Sequence, residues 1–317
     1  MDYSGATPDI VAGLKILRKR IEAAKIPPSK LDETINVATW NIREFGKKKR
    51  EKAAIYYIAE ILSQFDLIAI VELRENLSDL ARVMDVLGSY WRVVFCDTLD
   101  DRGGNDERIG YLYDQRAVYF TGLAAEGDGP RTKNKSTGEY VPDFNWWRKP
   151  YLASFQAGAF DFVVITTHIQ WGTDKGRTKE LKEFAAWVAG LHAMDRCFDK
   201  DIIVMGDFNV PDLTGTMFKA LTGTGLRIPK ALKGTPGSNL GQAKHYDQIL
   251  HLAPEEKFFA NCGGVLDFYA GDHKPLFPGL TKDKFTYQLS DHLPLWIQIQ
   301  TDRSEYKLDQ IVNRQKK

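Results

Sequence analysis

The sequence is poor in cysteine and has no long apolar run. Its three cysteines, Cys96, Cys197 and Cys262, are odd in number and widely separated, and none of them belongs to a CxxC pair. This pattern excludes a disulfide framework and argues against a zinc site built on paired cysteines. Because no apolar run approaches the ~20 residues that a membrane helix needs, a membrane-embedded role is excluded as well.

An excess of charge of one sign is also missing, and the N-terminal residues predict no secretory leader. The net charge is +1, so the chain as a whole carries no signature of nucleic-acid binding. The N-terminal segment interleaves charged and apolar residues, whereas a secretory signal places basic residues before an apolar run. Together with the few scattered cysteines, this predicts a cytoplasmic protein.

Three common catalytic motifs do not occur. The sequence contains no GxxxxGK[ST] phosphate-binding loop, no HExxH zinc helix and no GxSxG nucleophile turn. Because each motif supplies the chemistry of its class, these absences argue against a P-loop nucleotidase, a zinc protease of that type and a serine hydrolase.

What the sequence does contain is runs of strand-like segments interrupted by a few helices. Such runs predict an α/β fold in layers with mainly antiparallel sheets. The periodicity predicts helices over 9–25, 53–65, 77–87 and 176–197. It predicts strands over 35–42, 66–73, 90–97, 108–114, 117–123, 151–157, 160–169, 201–208, 247–253 and 293–300.

No change of composition marks a linker inside the chain, and no internal repeat is visible. We therefore predict one α/β domain over residues 34–301. An N-terminal helical extension over residues 1–33 precedes it, and residues 302–317 form a C-terminal tail, most simply a solvated helix.

Polar side chains recur where apolar strands end. A single Asp, Asn or His in such a place is most simply a turn former, a cap or a satisfied core residue. Six endings of one kind instead predict that the strand ends meet at one rim. The residues are Asn41, Glu72, His168, the pair Asp207 and Asn209, Asp247, and the pair Asp291 and His292.

The types of these residues indicate a chemistry. Carboxylate and amide oxygens suit Mg²⁺, Mn²⁺ or Ca²⁺ rather than a soft metal. Imidazoles exchange protons near neutral pH, and a carboxylate on the second ring nitrogen favours their charged form. The residues alone therefore favour hydrolysis of an anionic phosphate ester by metal-activated water.

The order of these motifs resembles the endonuclease/exonuclease/phosphatase family, and in detail its deoxyribonuclease I-like branch. The resemblance covers about residues 35 to 300. Its motifs, in chain order, are TWNIREFG with Asn41, IVELREN with Glu72, WRKP with Arg148, ITTHIQW with His168, MGDFN with Asp207 and Asn209, HYDQIL with Asp247, and LSDHLP with Asp291 and His292.

The resemblance implies a fold and a metal site. The fold would be a four-layered α/β sandwich of two mainly antiparallel sheets with helices outside. Asn41, Glu72 and Asp291 would hold a catalytic Mg²⁺ or Mn²⁺ ion, with Ca²⁺ as an alternative structural ion. Asp207 and Asn209 would be further metal ligands or would orient the attacking water.

The resemblance also implies acid–base and substrate-binding roles. His292 paired with Asp247, and His168 paired with Glu107, would be the general acid–base imidazoles. Arg148 would clamp the scissile phosphate, and Arg74 would contact the minor groove of DNA. The implied reaction is in-line attack of water on phosphorus without a covalent intermediate.

Local charge and aromatic residues bear on the substrate. Residues 43–52 hold six basic and two acidic side chains, which is typical of a phosphate-binding loop or of a solvated turn. Trp146 and Trp147 precede Arg148 and would either cap the core or stack on bases. We expect a DNA endonuclease of low sequence specificity. The alternatives are a phosphodiesterase or phosphatase acting on a lipid headgroup or small ester, and a scaffold without turnover.

Overall fold

Two β-sheets packed face to face form the centre of the molecule. The structure is a computed structural model that describes residues 1–98, 106–143, 146–252 and 258–314. Within these residues each central sheet has six strands, and one further pair of short strands forms a separate ribbon. The predicted four-layered α/β sandwich is confirmed.

The first sheet contains the strands at the two ends of the domain. In spatial order its strands run β13-β14-β1-β2-β4-β3, and only β1 and β2 are parallel neighbours. The bounds are β1 Thr34–Phe45, β2 Leu67–Leu73, β3 Trp91–Phe95, β4 Arg108–Asp114, β13 Phe259–Val265 and β14 Leu295–Gln300.

The second sheet has the same arrangement. Its spatial order is β11-β12-β10-β9-β8-β5, and only β9 and β10 are parallel neighbours. The bounds are β5 Tyr119–Glu126, β8 Tyr151–Ala157, β9 Phe160–His168, β10 Ile202–Asp207, β11 Leu226–Arg227 and β12 Asp247–Leu252; the separate ribbon consists of β6 Arg131–Lys133 and β7 Tyr140–Pro142.

Helices cover the outer faces of both sheets. In the part of the chain that the structure describes, no helix is both long and apolar enough to pass through a bilayer. The bounds are α1 Pro8–Ala23, α2 Lys52–Leu62, α3 Ser78–Leu87, α4 Asp174–Ala193, α5 Thr216–Thr222, α6 Lys282–Thr286 and α7 Ser304–Arg314, with a 3-10 turn at Lys230–Leu232.

The apolar runs of the central strands are explained by burial on both faces. In β1, Ile35 and Val37 point into the layer between the sheets, and Ala38 and Trp40 point into the layer under the helices. Successive strand side chains point to opposite faces, so a strand with apolar neighbours on both sides reads as a continuous apolar run.

The N-terminal helix α1 packs onto the domain. Its residues Leu14, Leu17 and Ile21 are buried in the same apolar layer as α2. Gly13 is required there, because a Cβ at this position would clash with the hydroxyl of Tyr57. The 1–33 boundary stays a prediction, but this helix is part of the outer layer.

The edge strand β13 was not predicted from the sequence. Its sequence FANCGGV has no clean alternation, and Gly263 and Gly264 are poor strand formers. The pairing of β13 with β14 shifts register between Phe259 and Gly263. The extended conformation of β13 therefore depends more on its pairing with β14 than on the strand propensity of its own residues.

We expect Leu17→Ala to lower the free energy of unfolding by about 2–5 kcal/mol, because it leaves a cavity at a fully buried position of α1. Urea denaturation followed by far-UV circular dichroism measures the change. Val11→Ala on the exposed side of the same helix is the control and should change stability by at most ~0.5 kcal/mol. Equal effects of the two substitutions would contradict the packing of α1.

Candidate active site

The parallel strand pair of each sheet brings polar residues to one edge. In the first sheet Asn41 of β1 lies beside Val71 of β2, one residue before Glu72. In the second sheet Asp207 at the end of β10 lies between His168 of β9 and Asp247 of β12. Because parallel strands end at the same edge, these side chains converge there.

Unusual backbone conformations turn side chains toward this edge. Glu72 and Asn209 both have positive φ, at 62° and 51°. Asn tolerates this conformation, whereas it is strained for Glu. Glu72 also lies where the pairing of β2 with its neighbours shifts register. Gly206, at φ 139°, is required because a Cβ would clash with the carbonyl oxygen of Thr167.

Asn41 joins the two sheets. Its Nδ2 donates hydrogen bonds to Glu72 Oε1 at 2.8 Å and to Asp207 Oδ2 at 3.0 Å. The second carboxylate oxygen of Glu72 accepts a hydrogen bond from the backbone N–H of Glu44 at 2.8 Å. Two carboxylates from different sheets are thereby fixed to one amide.

His292 and Asp247 form a buried pair beside Asp207. His292 Nδ1 lies 2.7 Å from Asp247 Oδ2, and its Nε2 lies 3.8 Å from Asp207 Oδ2. Burial lowers the pKa of His292, but the charges of Asp247 and Asp207 outweigh it and raise that pKa well above its usual value. The imidazole is therefore held in its charged form.

His168 and Glu107 form a second pair on the other side of Asp207. His168 Nδ1 lies 2.7 Å from Glu107 Oε2, and its Nε2 lies 3.6 Å from Asp207 Oδ2. Burial alone would lower the pKa of His168, yet Glu107 raises it. Both predicted imidazole–carboxylate pairs are present, and both direct Nε2 toward one carboxylate.

Two arginines form ion pairs with Glu107. Arg148 Nε lies 3.2 Å and Arg74 Nη1 lies 3.8 Å from the carboxylate. Burial raises the pKa of Glu107, but His168, Arg148 and Arg74 together lower it to about 2. Glu107 is therefore ionised. Arg74, predicted to contact a groove, is itself nearly buried.

Asn209 and Asp291 lie at the margin of this group. Asn209 donates its backbone N–H to Asp207 Oδ1 at 2.9 Å and its Nδ2 to the carbonyl oxygen of Ile169 at 2.7 Å. The side chain of Asp291 is 46% exposed, and its Oδ2 lies 4.0 Å from Arg43 Nε. We call the central group the acid–imidazole cluster; its members are Asn41, Glu72, His168, Asp207, Asp247 and His292.

The acid–imidazole cluster can accept a metal ion. Among the described acidic, histidine and cysteine residues, Asp207, Asp247 and His292 hold potential ligand atoms within 4.8 Å of one another, but the charged imidazole of His292 must lose a proton before it can bind a metal. Asn41 Oδ1 is buried and accepts no hydrogen bond in the described part of the chain. A buried amide oxygen with a free lone pair beside carboxylates fits a hard divalent cation.

Three residues next to the acid–imidazole cluster were not predicted as site residues, although two of them, Trp171 and Tyr246, lie within the motifs ITTHIQW and HYDQIL. Arg177 of α4 donates a hydrogen bond to the carbonyl oxygen of Asn209 at 3.1 Å and lies over the ring of Trp171 at 4.6 Å. Trp171, which is 65% exposed, meets Tyr246, whose ring lies 5.7 Å from that of His292. Aromatic rings therefore flank the cluster.

The basic segment 43–52 is only partly a solvated loop. Arg50 is buried and donates hydrogen bonds to the carbonyl oxygens of Arg43 and Gln288. Burial lowers the pKa of Arg50 to about 10. Arg50 therefore holds the segment in place, and Lys48 and Lys49 remain exposed.

The two adjacent tryptophans differ in their surroundings. Trp146 packs against Trp187 and Phe184, with ring centroids 5.5 and 6.1 Å away, so capping of the core accounts for it. Trp147 is half-buried and lines a cavity with Glu180 of α4. Glu180 was not predicted as a site residue, because its sequence position resembles that of any surface acid on a helix.

Glu180 is a buried acid. Only 7% of the residue is exposed. Burial raises the pKa of Glu180 to about 7, although the backbone N–H groups of Trp147 and Gln170 and the charge of Arg148 act in the opposite direction. The carboxyl group therefore changes charge near neutral pH.

The chain was compared with known protein families, curated proteins and solved structures. No family model matches the chain. Deoxyribonuclease-1 of Rattus norvegicus is 24% identical over 186 residues, which are 56% of this chain and 61% of that protein. The chain thus spans about three fifths of the length of this curated relative.

Solved structures match over most of their length. A Bacteroides vulgatus endonuclease/exonuclease/phosphatase aligns with a TM-score of 0.55 and 13% identity, over 84% of this chain and 98% of that one. The Bacteroides thetaiotaomicron mannosyl-6-phosphatase aligns with a TM-score of 0.53 and 16% identity, over 83% of this chain and 98% of that one. At these identities the match establishes the fold.

We expect Glu180→Gln to remove a pH dependence of stability. Between pH 4.5, the usual pKa of Glu, and about 7 the folded wild type keeps the proton that the unfolded chain has lost. The free energy of unfolding of the wild type should therefore fall by ~1–3 kcal/mol across this window relative to the variant. Urea denaturation at several pH values measures it, with Glu22→Gln on α1 as control. Parallel profiles for wild type and Glu180→Gln would contradict the assignment.

Proposed function

Because this chain has the fold of the endonuclease/exonuclease/phosphatase family, we propose that it hydrolyses phosphodiester bonds in DNA with the help of a divalent metal ion. The observation that carries this proposal is the convergence on Asp207 Oδ2 of Asn41 and both imidazoles. Such a buried set of carboxylates, an amide and charged imidazoles has the parts that phosphate-ester hydrolysis needs.

The metal ion would be held by Asn41, Glu72 and Asp291, with Asp207 and Asn209 as further ligands or as groups that orient water. Mg²⁺ or Mn²⁺ fits this oxygen set, and Ca²⁺ fits as a structural ion. Bound there, the ion would neutralise charge on the phosphate and lower the pKa of water. The free Oδ1 of Asn41 supports its role as a ligand.

The two imidazoles would move protons. Each presents Nε2 toward Asp207 and has Nδ1 fixed by a carboxylate, Asp247 for His292 and Glu107 for His168. In its charged form one imidazole would donate a proton to the leaving oxygen, and the Asp207 carboxylate that orients the attacking water would take the proton of that water. Their positive charge would also stabilise the phosphate in the transition state.

Arg148 would bind the phosphate from the Glu107 side. Its guanidinium has geometry for two oxygen atoms, and its Nη1 also donates to the carbonyl oxygen of His168 at 3.4 Å. Arg74, which is buried against Glu107, would hold the Glu107 carboxylate in place electrostatically. The exposed Lys48 and Lys49 would contact neighbouring phosphates without reading sequence.

DNA is the preferred substrate in this proposal for two reasons. The similarity to a deoxyribonuclease extends over 56% of the chain, and the basic segment 43–52 follows Asn41 directly. The second candidate is a small phosphate ester, because the same fold occurs in a mannosyl-6-phosphatase and the acid–imidazole cluster would serve either ester.

We expect the protein to nick supercoiled plasmid in the presence of Mg²⁺ or Mn²⁺ and to stop in EDTA. His292→Ala should lower the nicking rate ~10²- to 10⁴-fold, because it removes a positioned general acid–base group. Gel electrophoresis of the plasmid over time measures the rate. His192→Ala, at the distant end of α4, is the matched control and should leave the rate unchanged.

The same experiment separates the candidate substrates. Linear and single-stranded DNA, RNA and a panel of phosphomonoesters are incubated under the same conditions. Turnover of small esters without DNA cleavage would replace the first candidate with the second. Binding of DNA without turnover of any substrate would show a scaffold.

We expect Mg²⁺ to stabilise the folded protein through Glu72. At a concentration about 100 times its Kd, the ion should add ~2.7 kcal/mol to the free energy of unfolding. Glu72→Gln should lose most of this gain, whereas Glu75→Gln, an exposed acid three residues later, should keep it. Thermal unfolding with and without Mg²⁺ measures the gain, and an equal shift in both variants would refute the ligand assignment.

A further inference from the structure

An exposed tryptophan lies beside the acid–imidazole cluster. All seven tryptophans of the sequence lie in the described residues, and Trp171 alone among them is exposed, at 65%. It follows His168 by three residues, so at most ~11 Å of extended chain separates the two. An open indole adds little to the stability of the core, whereas tryptophan on a surface is typical of places where proteins bind.

Trp171 is held in a fixed position. The guanidinium of Arg177 lies over its ring at 4.6 Å, and the ring of Tyr246 meets it edge to face with the centroids 5.5 Å apart. Arg177 is itself fixed, because it donates hydrogen bonds to the carbonyl oxygen of Asn209 at 3.1 Å and to Asp174 at 2.6 Å. With both contacts in place the indole is still mostly open, so a ligand could bind to it with little loss of conformational freedom.

The surroundings of Trp171 connect it to both imidazoles. Tyr246 immediately precedes Asp247, and its ring lies 5.7 Å from that of His292. On the other side, the chain leads from Trp171 directly back to His168 at the end of β9. A ring that stacks on Trp171 would therefore belong to the nucleotide at the scissile phosphate or to its neighbour.

A groove lined by lysines begins next to these aromatic rings. It lies between α4 and the turn that leads into α5, and it measures about 650 Å³. Its lysines are Lys175, Lys179 and Lys182, and we call it the lysine groove. Pro211, on its far side, accepts a hydrogen bond at 3.3 Å from the backbone N–H of His245, the residue before Tyr246. The lysine groove and the aromatic rings therefore form one continuous surface.

The lysine groove keeps an excess of positive charge. Its three lysines are exposed, and within the described residues only Lys179 forms an ion pair, with Glu183 at 3.7 Å. The two acids of the lining have partners of their own. Asp174 pairs with Arg177, and Asp212 accepts hydrogen bonds from backbone N–H groups of the turn before α5. The free lysines can therefore bind anions.

The spacing of the lysines fits a chain of phosphates. Residues 175, 179 and 182 are four and three positions apart, so they lie on one face of α4. They extend over ~10 Å of the helix, a length over which one DNA strand carries about three phosphates. An aromatic ring for a base, followed by basic residues for the backbone, is the arrangement with which proteins bind single-stranded nucleic acid.

We propose that Trp171 stacks on an unpaired base next to the scissile phosphate and that the lysine groove binds the phosphates of the same DNA strand. The inference rests on the proposed hydrolysis of DNA. In a duplex the faces of each base are covered by its neighbours, so the base must come from a single strand or from a locally opened duplex. Because every base has a face that can stack, binding of this kind is tolerant of sequence.

The same two elements bear on the alternative substrate. A small sugar phosphate has neither an aromatic ring to stack on Trp171 nor a chain of phosphates to occupy the lysine groove. A polynucleotide has both.

Binding without catalysis tests the role of Trp171. In EDTA, a fluorescein-labelled single-stranded oligonucleotide is titrated with the protein and its fluorescence anisotropy is followed. Trp171→Ala should weaken binding of the single strand about 5-fold or more, and binding of a duplex of the same sequence by less than about 2-fold. Phe198→Ala, which removes an exposed aromatic ring shortly before the start of β10, is the matched control and should change neither affinity.

The salt dependence of the same binding tests the lysine groove. Lys175→Gln, Lys179→Gln and Lys182→Gln combined should reduce the slope of log K against log salt by about 2, which is about 0.7 for each phosphate contact of a single strand. Lys15→Gln, Lys19→Gln and Lys30→Gln combined remove the same charge from exposed positions on α1 and before β1. This control should change the slope by less than about 0.7.

The outcomes separate this inference from the proposed function. Nicking of plasmid by the wild type, together with unchanged single-strand affinity of Trp171→Ala or an unchanged salt slope of the lysine-groove variant, would overturn the inference and leave the function standing. Single-strand binding that depends on both elements, without cleavage of any DNA, would support the inference and overturn the proposed hydrolysis. Thermal unfolding checks the fold of each variant, and if Trp171→Ala does not fold, an unchanged salt slope overturns the inference by itself.

Discussion

The buried carboxylate of Asp207 is the constraint around which the rest of the acid–imidazole cluster is arranged. Only 1% of this residue is exposed, and an isolated buried charge would be costly. Asn41 and the backbone of Asn209 donate hydrogen bonds to it, and the imidazoles of His168 and His292 lie within 4 Å. The charge is therefore compensated from both sheets at once.

The groups that compensate the charge of Asp207 are in turn stabilised by neighbouring charges. The imidazoles carry positive charge because Glu107 and Asp247 hold their second nitrogens. Glu107 in turn stays ionised because Arg148 and Arg74 contact it. The acid–imidazole cluster, Glu107 and the two arginines thus form a chain of alternating charges that is buried throughout, and the loss of one member leaves its neighbour as an unbalanced buried charge.

The local sequence pattern located the polar strand ends, whereas Glu107, Arg148 and Arg74 were expected only from the family resemblance and the residues around them were not expected at all. Strand ends that carry Asn41, Glu72 or Asp207 follow long apolar runs, so their position can be inferred from a local pattern. The neighbours Arg177 and Glu180 lie on a helix, where only tertiary packing decides which polar side chain is buried. The burial of Arg50 could not be predicted for the same reason: a run of basic residues is typical of a solvated segment, and the sequence does not indicate which member points inward.

The two kinds of buried acid in this molecule differ in a way that bears on function. Asp207 has its charge balanced within the protein, so its burial is compatible with a stable fold in the absence of any ligand. Glu180 is balanced only in part: burial raises its pKa to about 7, although the backbone N–H groups of Trp147 and Gln170 and the charge of Arg148 act in the opposite direction. The partners that Asp207 has from both sheets suit the catalytic role proposed for it, whereas the partial balance of Glu180 makes its charge depend on pH near neutrality.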